Sequence, residues 1–366
     1  MNEWLAAKNI LAVRLDNMGD IVMLGPALRA VKETSPHARL TLLASPAGTS
    51  AAALLPWIDD VITWRSIWQD VGGRLPFDPA RERELIALLA ERKFDAALIF
   101  TSFSQTPHTP GYVCYLAGIP LRAGESKEFG GSTLTTELRG APDELHQVER
   151  NLRLVEHLGF EVKDRKLAIA LPDDARLAVA HILSEAGLDA NAPIVLIHPG
   201  ASALARRYPV ERFGAVARLL SRRGWPVLVT GVEREAELLD ELMQHAPQAH
   251  CLLGGTTLVE YAALVERASL VICNDTLAMH LADAVGTPEV VLFSGTDYEE
   301  QWRPRVTRHT LLRRSTSCHP CYLFECPIGQ PCLDISPEEV VDVVETMLVS
   351  IGLPEMAGEE HVGGNR

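Results

Sequence analysis

The sequence has no apolar run long enough to cross a membrane as a helix. Of its 366 residues, 47% are apolar and 22% are charged. No stretch approaches the roughly 18 to 20 uninterrupted apolar residues that a spanning helix needs. The first nine residues include Glu3 and Lys8, which is not typical of a secretory signal. We therefore expect a folded protein of the cytoplasm.

Basic residues and the familiar phosphate-binding glycine patterns are also scarce. Lys and Arg number 34 against 48 Asp and Glu, which gives a formal net charge of −14. A general nucleic-acid binder needs a basic face, so this balance argues against that class, although it permits a local basic pocket for a phosphorylated small molecule. The loop after the first apolar run lacks both G-x-G-x-x-G and the Walker A pattern, which argues against a dehydrogenase.

Short apolar runs alternate with helical patterns, and this alternation occurs twice along the chain. A length of 366 residues suggests two domains at roughly 150 residues each. Alternating strands and helices predict parallel sheets with helices on both faces. We predict an α/β protein with two doubly wound lobes, residues 1–172 and 173–355, and a flexible tail, residues 356–366. The predicted strands are residues 10–13, 40–44, 61–64, 96–100, 194–197, 227–230, 270–273 and 290–293.

Ligands of open α/β sheets bind beyond the carboxyl ends of the strands, so the loops after the strands hold the candidate site residues. Asp20 follows the first strand and starts a helix predicted over residues 20–33. A helix cap is its commoner role, and the functional alternative is a general base that the helix dipole keeps ionised. Gly200 and Arg206 follow a later strand. There a glycine permits close backbone approach and an arginine can clamp phosphate, or the loop simply carries solvated arginines.

Two further loops of the second lobe carry candidates. Glu233 lies at the first turn of a predicted helix, where an acid pairs with the helix dipole or binds ribose hydroxyls. Thr276 starts another predicted helix directly after Asp275, and free amides at such a start can bind an anion. His280 lies one turn along that helix, where a lone histidine is most often structural.

The seven cysteines fall into two sets. Cys114, Cys251 and Cys273 lie in apolar runs and are expected to be small buried hydrophobes. The other four lie in one short segment: Cys318, Cys321, Cys326 and Cys332. Their spacing resembles that of zinc or iron–sulfur ligands but matches no standard pair of knuckles. We favour reduced or disulfide-paired structural thiols, with a structural zinc or iron–sulfur cluster as the alternative.

Taken together, these stretches resemble the glycosyltransferase family that contains the lipopolysaccharide heptosyltransferases. The likeness runs in order from about residue 9 to residue 348, through Met18-Gly19-Asp20, His198-Pro199-Gly200-Ala201, Asn274-Asp275-Thr276 and Gly295-Thr296-Asp297. The resemblance implies a GT-B fold, in which two Rossmann-like lobes face each other across a cleft. It also implies inverting transfer of a sugar, typically heptose from ADP-heptose, onto a glycan or glycolipid such as the lipopolysaccharide core.

The resemblance assigns roles to individual residues. Asp20 matches the family's catalytic base, and Arg206 falls where the family has a basic residue, commonly Lys, at the donor phosphates. The other implied substrate-binding positions are Met18, Gly19, Ser202, Glu233 near the ribose, Thr256 near the adenine, Asp275 at the donor sugar, Thr276, Leu277 and Ala278 at the diphosphate, and His280.

One position departs from the family pattern. The family usually has Gly after Asp-Thr, where this chain has Leu277. A leucine would be strained if that position needs a positive φ, whereas it fits a helical turn. In either case the bulk of Leu277 bears on which donor the site accepts rather than on which reaction it catalyses.

The implied partners are a nucleotide-diphosphate-sugar donor and a lipid-linked glycan acceptor, which would bring the protein to the cytoplasmic face of the inner membrane. No Asp-x-Asp pair is present to hold a catalytic metal, and no cofactor is expected for the reaction. Two alternatives stay open. A nucleotide-sugar epimerase-like enzyme would turn over without an acceptor, and a non-catalytic nucleotide-sugar-binding protein would bind the donor without transfer.

Overall fold

The structure is a computed structural model that describes residues 2–70 and 72–354. It contains two compact units, which meet in sequence between Ala170 and Leu171. We call them unit 1 and unit 2. The predicted flexible tail, residues 356–366, lies outside the described residues. No helix in the described part of the chain has the length and apolar character needed to cross a membrane.

Unit 1 contains a parallel sheet of six strands. The strands are β1 (Asn9–Arg14), β2 (Arg39–Ala44), β3 (Asp60–Thr63), β4 (Ala96–Ile99), β5 (Leu121–Glu125) and β6 (Thr136–Leu138). Their order across the sheet is β3-β2-β1-β4-β5-β6. Every neighbouring pair is parallel. This is the order of a Rossmann-like sheet, whose direction of winding reverses between β1 and β4.

The helices of unit 1 connect these strands. They are α1 (Glu3–Ala6), α2 (Met18–Val22), α3 (Gly25–Thr34), α4 (Pro46–Thr49), α5 (Pro79–Arg92), α6 (His108–Leu116) and α7 (Gln147–His157). The helix predicted over residues 20–33 is therefore two helices, α2 and α3. Pro26 explains the break, because it lacks an N–H and its ring would collide with the carbonyl of Val22, where α2 ends.

Unit 2 repeats the arrangement of unit 1. Its strands are β7 (Val195–His198), β8 (Val227–Gly231), β9 (His250–Leu253), β10 (Leu270–Asn274), β11 (Glu289–Leu292) and β12 (His309–Leu312). Their order is β12-β11-β10-β7-β8-β9, and all neighbours are parallel. The winding reverses between β7 and β10, which is the position equivalent to β1 and β4.

The helices of unit 2 begin directly after the boundary. They are α8 (Asp173–Glu185), α9 (Val210–Arg222), α10 (Ala236–His245), α11 (Leu258–Arg267), α12 (Leu277–Val285), α13 (Glu299–Trp302) and α14 (Pro337–Ser350). The central strands are mostly apolar and are buried except for the half-buried His198 at the end of β7, as the continuous apolar runs predict. Helices α9 and α14 pack on this sheet through one core of buried side chains that includes Phe213, Leu220, Val340 and Val344.

Candidate active site

The first group of candidate residues lies at the carboxyl end of β1. Arg14 is the last residue of this strand, and its side chain is completely buried. Its Nε lies 2.7 Å from Asp16 Oδ2, and its Nη2 lies 2.7 Å from Asp20 Oδ1. Burial disfavours the charged guanidinium, but the two carboxylates outweigh this effect and raise the pKa of Arg14. We call Arg14, Asp16 and Asp20 the unit 1 cluster.

Asp20 is fixed from two sides and still reaches solvent. Its Oδ1 accepts a hydrogen bond from Arg14, and its Oδ2 accepts one from the backbone N–H of Asn17 at 3.1 Å. The second bond is a helix cap, since Asp20 lies in the first turn of α2. The side chain of Asp20 is 15% exposed. A carboxylate held in this way caps the helix and can also accept a proton from a bound hydroxyl group.

Asp16, the second carboxylate of the cluster, is exposed to nearly the same extent as Asp20. Its Oδ1 accepts hydrogen bonds from the side-chain amides of Gln105 at 2.5 Å and Gln69 at 3.4 Å. Burial raises the pKa of Asp16, while Arg14 opposes that shift. Sequence reasoning missed Arg14 and Asp16. The available signal was a charged residue ending an apolar strand, because a buried charge requires a partner of opposite sign.

The other two predicted residues of unit 1 lie beside Asp20. Met18 and Gly19 are the first two residues of α2. Gly19 is buried and Met18 is half-buried. They bring the start of this helix to the end of β1, at the point where the sheet reverses its winding. Ligands bind at such a point in folds of this kind.

The second group lies at the equivalent point of unit 2. Arg206 ends a single turn of 3₁₀ helix, Leu204–Arg206, after β7. Its Nη2 lies 2.6 Å from Asp297 Oδ2, and its Nε lies 3.2 Å from Thr296 Oγ1 and 3.7 Å from Asp275 Oδ2. Asp275 directly follows β10. The four residues Arg206, Asp275, Thr296 and Asp297 form what we call the Arg206 cluster.

Asp275 is the most strongly perturbed acid in this cluster. Its side chain is 4% exposed, and its Oδ1 has no hydrogen-bond partner. Its Oδ2 accepts a hydrogen bond from Ser294 Oγ at 3.3 Å. Burial raises the pKa of Asp275 to about 7, with Asp297 raising it further and Arg206 opposing the shift. An acid that is partly protonated near neutral pH repels a bound diphosphate less than an ionised one does.

Helix α12 begins beside this cluster. Thr276 is its N-cap, Leu277 and Ala278 are its first residues, and the helix runs for nine residues to Val285. Its first amides have no carbonyl partners within the helix, which favours an anion at this end. Leu277 does not have a positive φ and occupies an ordinary helical position. The leucine therefore causes no backbone strain. Of the two points raised by its departure from the family pattern, only the bulk of its side chain still bears on the donor.

His280 lies one turn along α12 and is buried. Desolvation by burial lowers its pKa to about 4, with Arg206 also lowering it and Asp283 opposing the shift. The imidazole is therefore neutral at pH 7. A neutral histidine here adds no positive charge to the cluster and can act only as a hydrogen-bonding or packing group.

Asn274 explains how the loops of unit 2 are held together. Its Nδ2 donates to the carbonyl of Pro199 at 2.8 Å, and its Oδ1 accepts from the backbone N–H of Tyr208 at 3.0 Å. It is completely buried. This one side chain therefore joins the end of β10 to both sides of the loop that carries Arg206. Sequence reasoning saw Asn274 as part of a motif but gave it no role.

Glu233 and Thr256 lie on the neighbouring loops, after β8 and β9. A Cβ atom on Gly254 would lie only 2.2 Å from Glu233 Oε1, so the glycine lets Glu233 approach the backbone there. Gly254 also has a φ of +64°, which favours glycine. Thr256 is half-buried two residues further on, and Ser202 is exposed after β7. The roles of these three polar residues stay predictions.

Glu235 was not singled out by sequence reasoning. A Cβ atom on Gly200 would lie 2.2 Å from Glu235 Oε1, so the carboxylate packs directly on the Gly200 backbone. Its Oε2 accepts a hydrogen bond from Val232 N at 3.1 Å. The small size of Gly200 thus makes room for this side chain, and the approach of a ligand to its backbone stays a prediction.

Three of the four clustered cysteines have separate neighbours. Cys332 is buried beside Gly295, Cys326 Sγ accepts a hydrogen bond from Gln330 N at 3.2 Å, and Cys318 is exposed next to Thr316. Across residues 2–70 and 72–354, no three His, Cys, Asp or Glu side chains form a group that could hold a metal ion. The residues present here do not fit the zinc or iron–sulfur alternative. None of the seven cysteines forms a disulfide, and Cys251, expected to be a buried hydrophobe, is exposed because it lies on the edge strand β9.

Comparison with known proteins identifies the family. The profile of glycosyltransferase family 9 (heptosyltransferase) matches residues 83–330. The chain belongs to this family. It is a glycosyltransferase with two Rossmann-like units, of the GT-B class.

Individual relatives agree with this assignment. Lipopolysaccharide heptosyltransferase 2 of Salmonella typhimurium is 23% identical, over 94% of this chain and 99% of that protein. Lipopolysaccharide heptosyltransferase 3 of Escherichia coli is 31% identical over 161 residues, which span 43% of this chain and 46% of that protein. The structure of E. coli ADP-heptose lipopolysaccharide heptosyltransferase II has a TM-score of 0.73 at 20% identity, and covers 94% of this chain and 99% of that one. The last comparison concerns the fold alone.

Proposed function

We propose that this glycosyltransferase moves heptose from ADP-heptose onto a glycan acceptor of the lipopolysaccharide-core type, with inversion at the anomeric carbon. The observation that carries the proposal is the Arg206 cluster beside the start of α12. It combines an arginine that is 32% exposed with a helix start at the carboxyl end of the central strands. That combination suits a diphosphate. The E. coli protein of similar fold is named for ADP-heptose.

The reaction is a single in-line displacement. The acceptor hydroxyl oxygen forms a bond to the anomeric carbon while the bond from that carbon to the phosphate oxygen breaks. The hydroxyl proton moves to Asp20, and ADP leaves with the bonding electron pair. Arg206 and the amides at Thr276 to Ala278 stabilise the negative charge that develops on the diphosphate. We propose that these fixed groups, rather than a metal ion, neutralise the leaving group.

The proposal assigns a part of the reaction to each unit. Unit 1 supplies the base Asp20, with Met18 and Gly19 beside it, and so takes the acceptor. Unit 2 takes the donor, with Glu233 near the ribose, Thr256 near the adenine, and Ser202, Leu277 and His280 lining the site. A lipid-linked acceptor would bring the enzyme to the cytoplasmic face of the inner membrane as a peripheral protein. Because the net charge is −14, nucleic acid is not among the proposed partners.

The test is the variant Asp20→Asn, which keeps the size of the side chain and its hydrogen-bond acceptor but removes the base. We expect turnover of ADP-heptose with a lipopolysaccharide-core acceptor to fall roughly 100- to 10,000-fold, which is the range that general-base catalysis contributes. The Kd for ADP should change less than twofold. Turnover is measured by mass spectrometry of the product and Kd by calorimetry.

The matched control for this test is Asp143→Asn, which alters an exposed aspartate paired with Lys127. Near-normal turnover in Asp20→Asn would contradict the assignment of the base. Conversion of the wild-type donor without an acceptor would instead indicate the epimerase-like alternative, and binding without any conversion would indicate a non-catalytic protein.

A further inference from the structure

The Cys-rich segment, residues 318–332, lies against both stretches of chain that carry the Arg206 cluster. The backbone N–H of Ala205 donates to the carbonyl of Phe324 at 2.9 Å. The backbone N–H groups of Cys321 and Tyr322 donate to the carbonyls of Gly295 and Thr296 at 3.1 Å and 2.8 Å. The segment therefore bonds to the residue before Arg206 and also to the two residues before Asp297.

A side chain of the segment strengthens the first of these links. Gln330 Nε2 donates a hydrogen bond to the carbonyl oxygen of Leu204 at 2.5 Å. Leu204 is the first residue of the 3₁₀ turn that ends at Arg206. A single 3₁₀ turn has few internal hydrogen bonds, so the groups around it determine its orientation. Gln330 is one of those groups.

Two of the cysteines shape the segment itself. Gln330 has a φ of +54°, and its backbone N–H donates to Cys326 Sγ at 3.2 Å, so the thiol stabilises the turn that presents the amide. Cys332 packs so closely on Gly295 that a Cβ atom added there would lie 3.2 Å from Cys332 Cβ. The thiols thus act as hydrogen-bonding and packing groups, and both act next to the Arg206 cluster.

We propose that the Cys-rich segment is a positioning element for donor binding and that Gln330 is a positioning residue, which acts on Arg206 through the Leu204 carbonyl. The inference rests on the proposed function, because it takes Arg206 as a diphosphate-binding group. In this role, which needs no metal, the segment keeps Arg206 and Asp297 in fixed positions relative to each other.

The experiment compares ADP binding in Gln330→Met and in the wild type by calorimetry. Methionine keeps the length of the side chain and the same backbone preference but cannot donate a hydrogen bond. We expect the Kd for ADP to rise about threefold to tenfold, as for the loss of one hydrogen bond. Gln248→Met, which alters an exposed glutamine away from the segment, should leave the Kd unchanged. Gln330→Gly suits the left-handed backbone and should give the same loss if the methionine variant folds poorly.

A double-mutant cycle with Arg206→Met separates positioning from a general structural effect. In that background, Gln330→Met should change the Kd for ADP less than twofold, because the group that it positions is gone. Equal, additive losses in both backgrounds would overturn the inference. So would an unchanged Kd in Gln330→Met while Arg206→Met weakens ADP binding. If Arg206→Met itself leaves the Kd unchanged, the donor assignment of the proposed function fails, and the positioning role fails with it.

Discussion

Units 1 and 2 each place an arginine between two aspartates at the same point of the same sheet order, but they expose opposite charges. In unit 1 the arginine is completely buried, and Asp20 is 15% exposed. In unit 2, Arg206 is 32% exposed, whereas Asp275 and Asp297 are 4% and 9% exposed. The same trio of ionisable groups therefore presents a carboxylate to solvent in one unit and a guanidinium in the other.

This inversion suits two different chemical tasks. A carboxylate that reaches solvent and is held by a buried arginine is placed to accept a proton from a bound hydroxyl group. An exposed guanidinium with buried carboxylates can bind an anion while its position is fixed from behind. Under the proposed function, a change in burial is enough for the shared fold to present a base in one unit and an anion site in the other.

The largest effect that would test this comparison is expected from Arg14→Met. The substitution leaves two carboxylates, Asp16 and Asp20, without their buried cation. Loss of one partner from a buried charge network typically costs about 3 to 5 kcal/mol. We expect a loss of that size in the free energy of unfolding, measured by urea denaturation. The control Arg39→Met removes a 60% exposed arginine and should cost less than about 1 kcal/mol. A similar small loss for both variants would refute the structural role of Arg14.

The corresponding variant of unit 2, Arg206→Met, should act mainly on binding. Hydrogen bonds to charged groups contribute about 1.5 to 3 kcal/mol, so we expect the Kd for ADP to rise roughly 10- to 100-fold. The free energy of unfolding should fall by less than in Arg14→Met, because Asp275, whose pKa is raised to about 7, can take up a proton when its cation is lost. Calorimetry and urea denaturation measure the two quantities, with Arg222→Met at an exposed position as control. If stability fell as much as in Arg14→Met, the contrast between the two units would not hold.

The smallest effect concerns the pH dependence of stability and the variant Asp275→Asn. The pKa of Asp275 is raised to about 7 in the folded protein from an ordinary 3.8. The folded state therefore binds more protons than the unfolded state across that window, and stability falls as pH rises from about 4 to 7. Between pH 5.5 and 7 the wild type should lose about 1.5 kcal/mol more than Asp275→Asn, since the slope of about 1.4 kcal/mol per pH unit falls by half as the pH reaches the pKa. Parallel curves of unfolding free energy against pH would show that Asp275 is ionised throughout.

The fold was predictable where strands are buried on both faces. The central strands of both sheets, such as residues 10–13 and 270–273, are continuous apolar runs and were predicted. Strand β5 was missed because it carries Arg122 and Glu125, which are buried through bonds to the Ile119 carbonyl at 2.5 Å and to Arg150 at 2.8 Å. Ile119 lies close to Arg122 in the sequence and Arg150 lies far from Glu125, and the apolar pattern of the strand reveals neither contact. The short edge strands β6, β9 and β12 were missed because they are mostly half-buried and polar residues interrupt their apolar pattern.

The candidate site was predictable one residue at a time but not as a set of contacts. Asp20, Arg206 and Asp275 were singled out because they follow strands. The bonds of Arg206 to Thr296 and Asp297 join residues about 90 positions apart, and no local pattern indicates such a pairing. Arg14 was overlooked because the apolar pattern locates the strand but does not show which charged groups its last residue contacts. Its role depends on contacts with the side chains of Asp16 and Asp20, which follow β1 in the chain.

Asn274 has a consequence for efforts to redesign the donor preference. Its amide acts as a donor to Pro199 and as an acceptor from Tyr208 at once, and neither aspartate nor leucine of similar size offers both functions. Ser202 and Glu233, by contrast, are exposed on the same edge of unit 2. A library for altered nucleotide-sugar use should therefore vary residues such as these two and keep Asn274 constant, so that recognition changes while the loop carrying Arg206 keeps its shape.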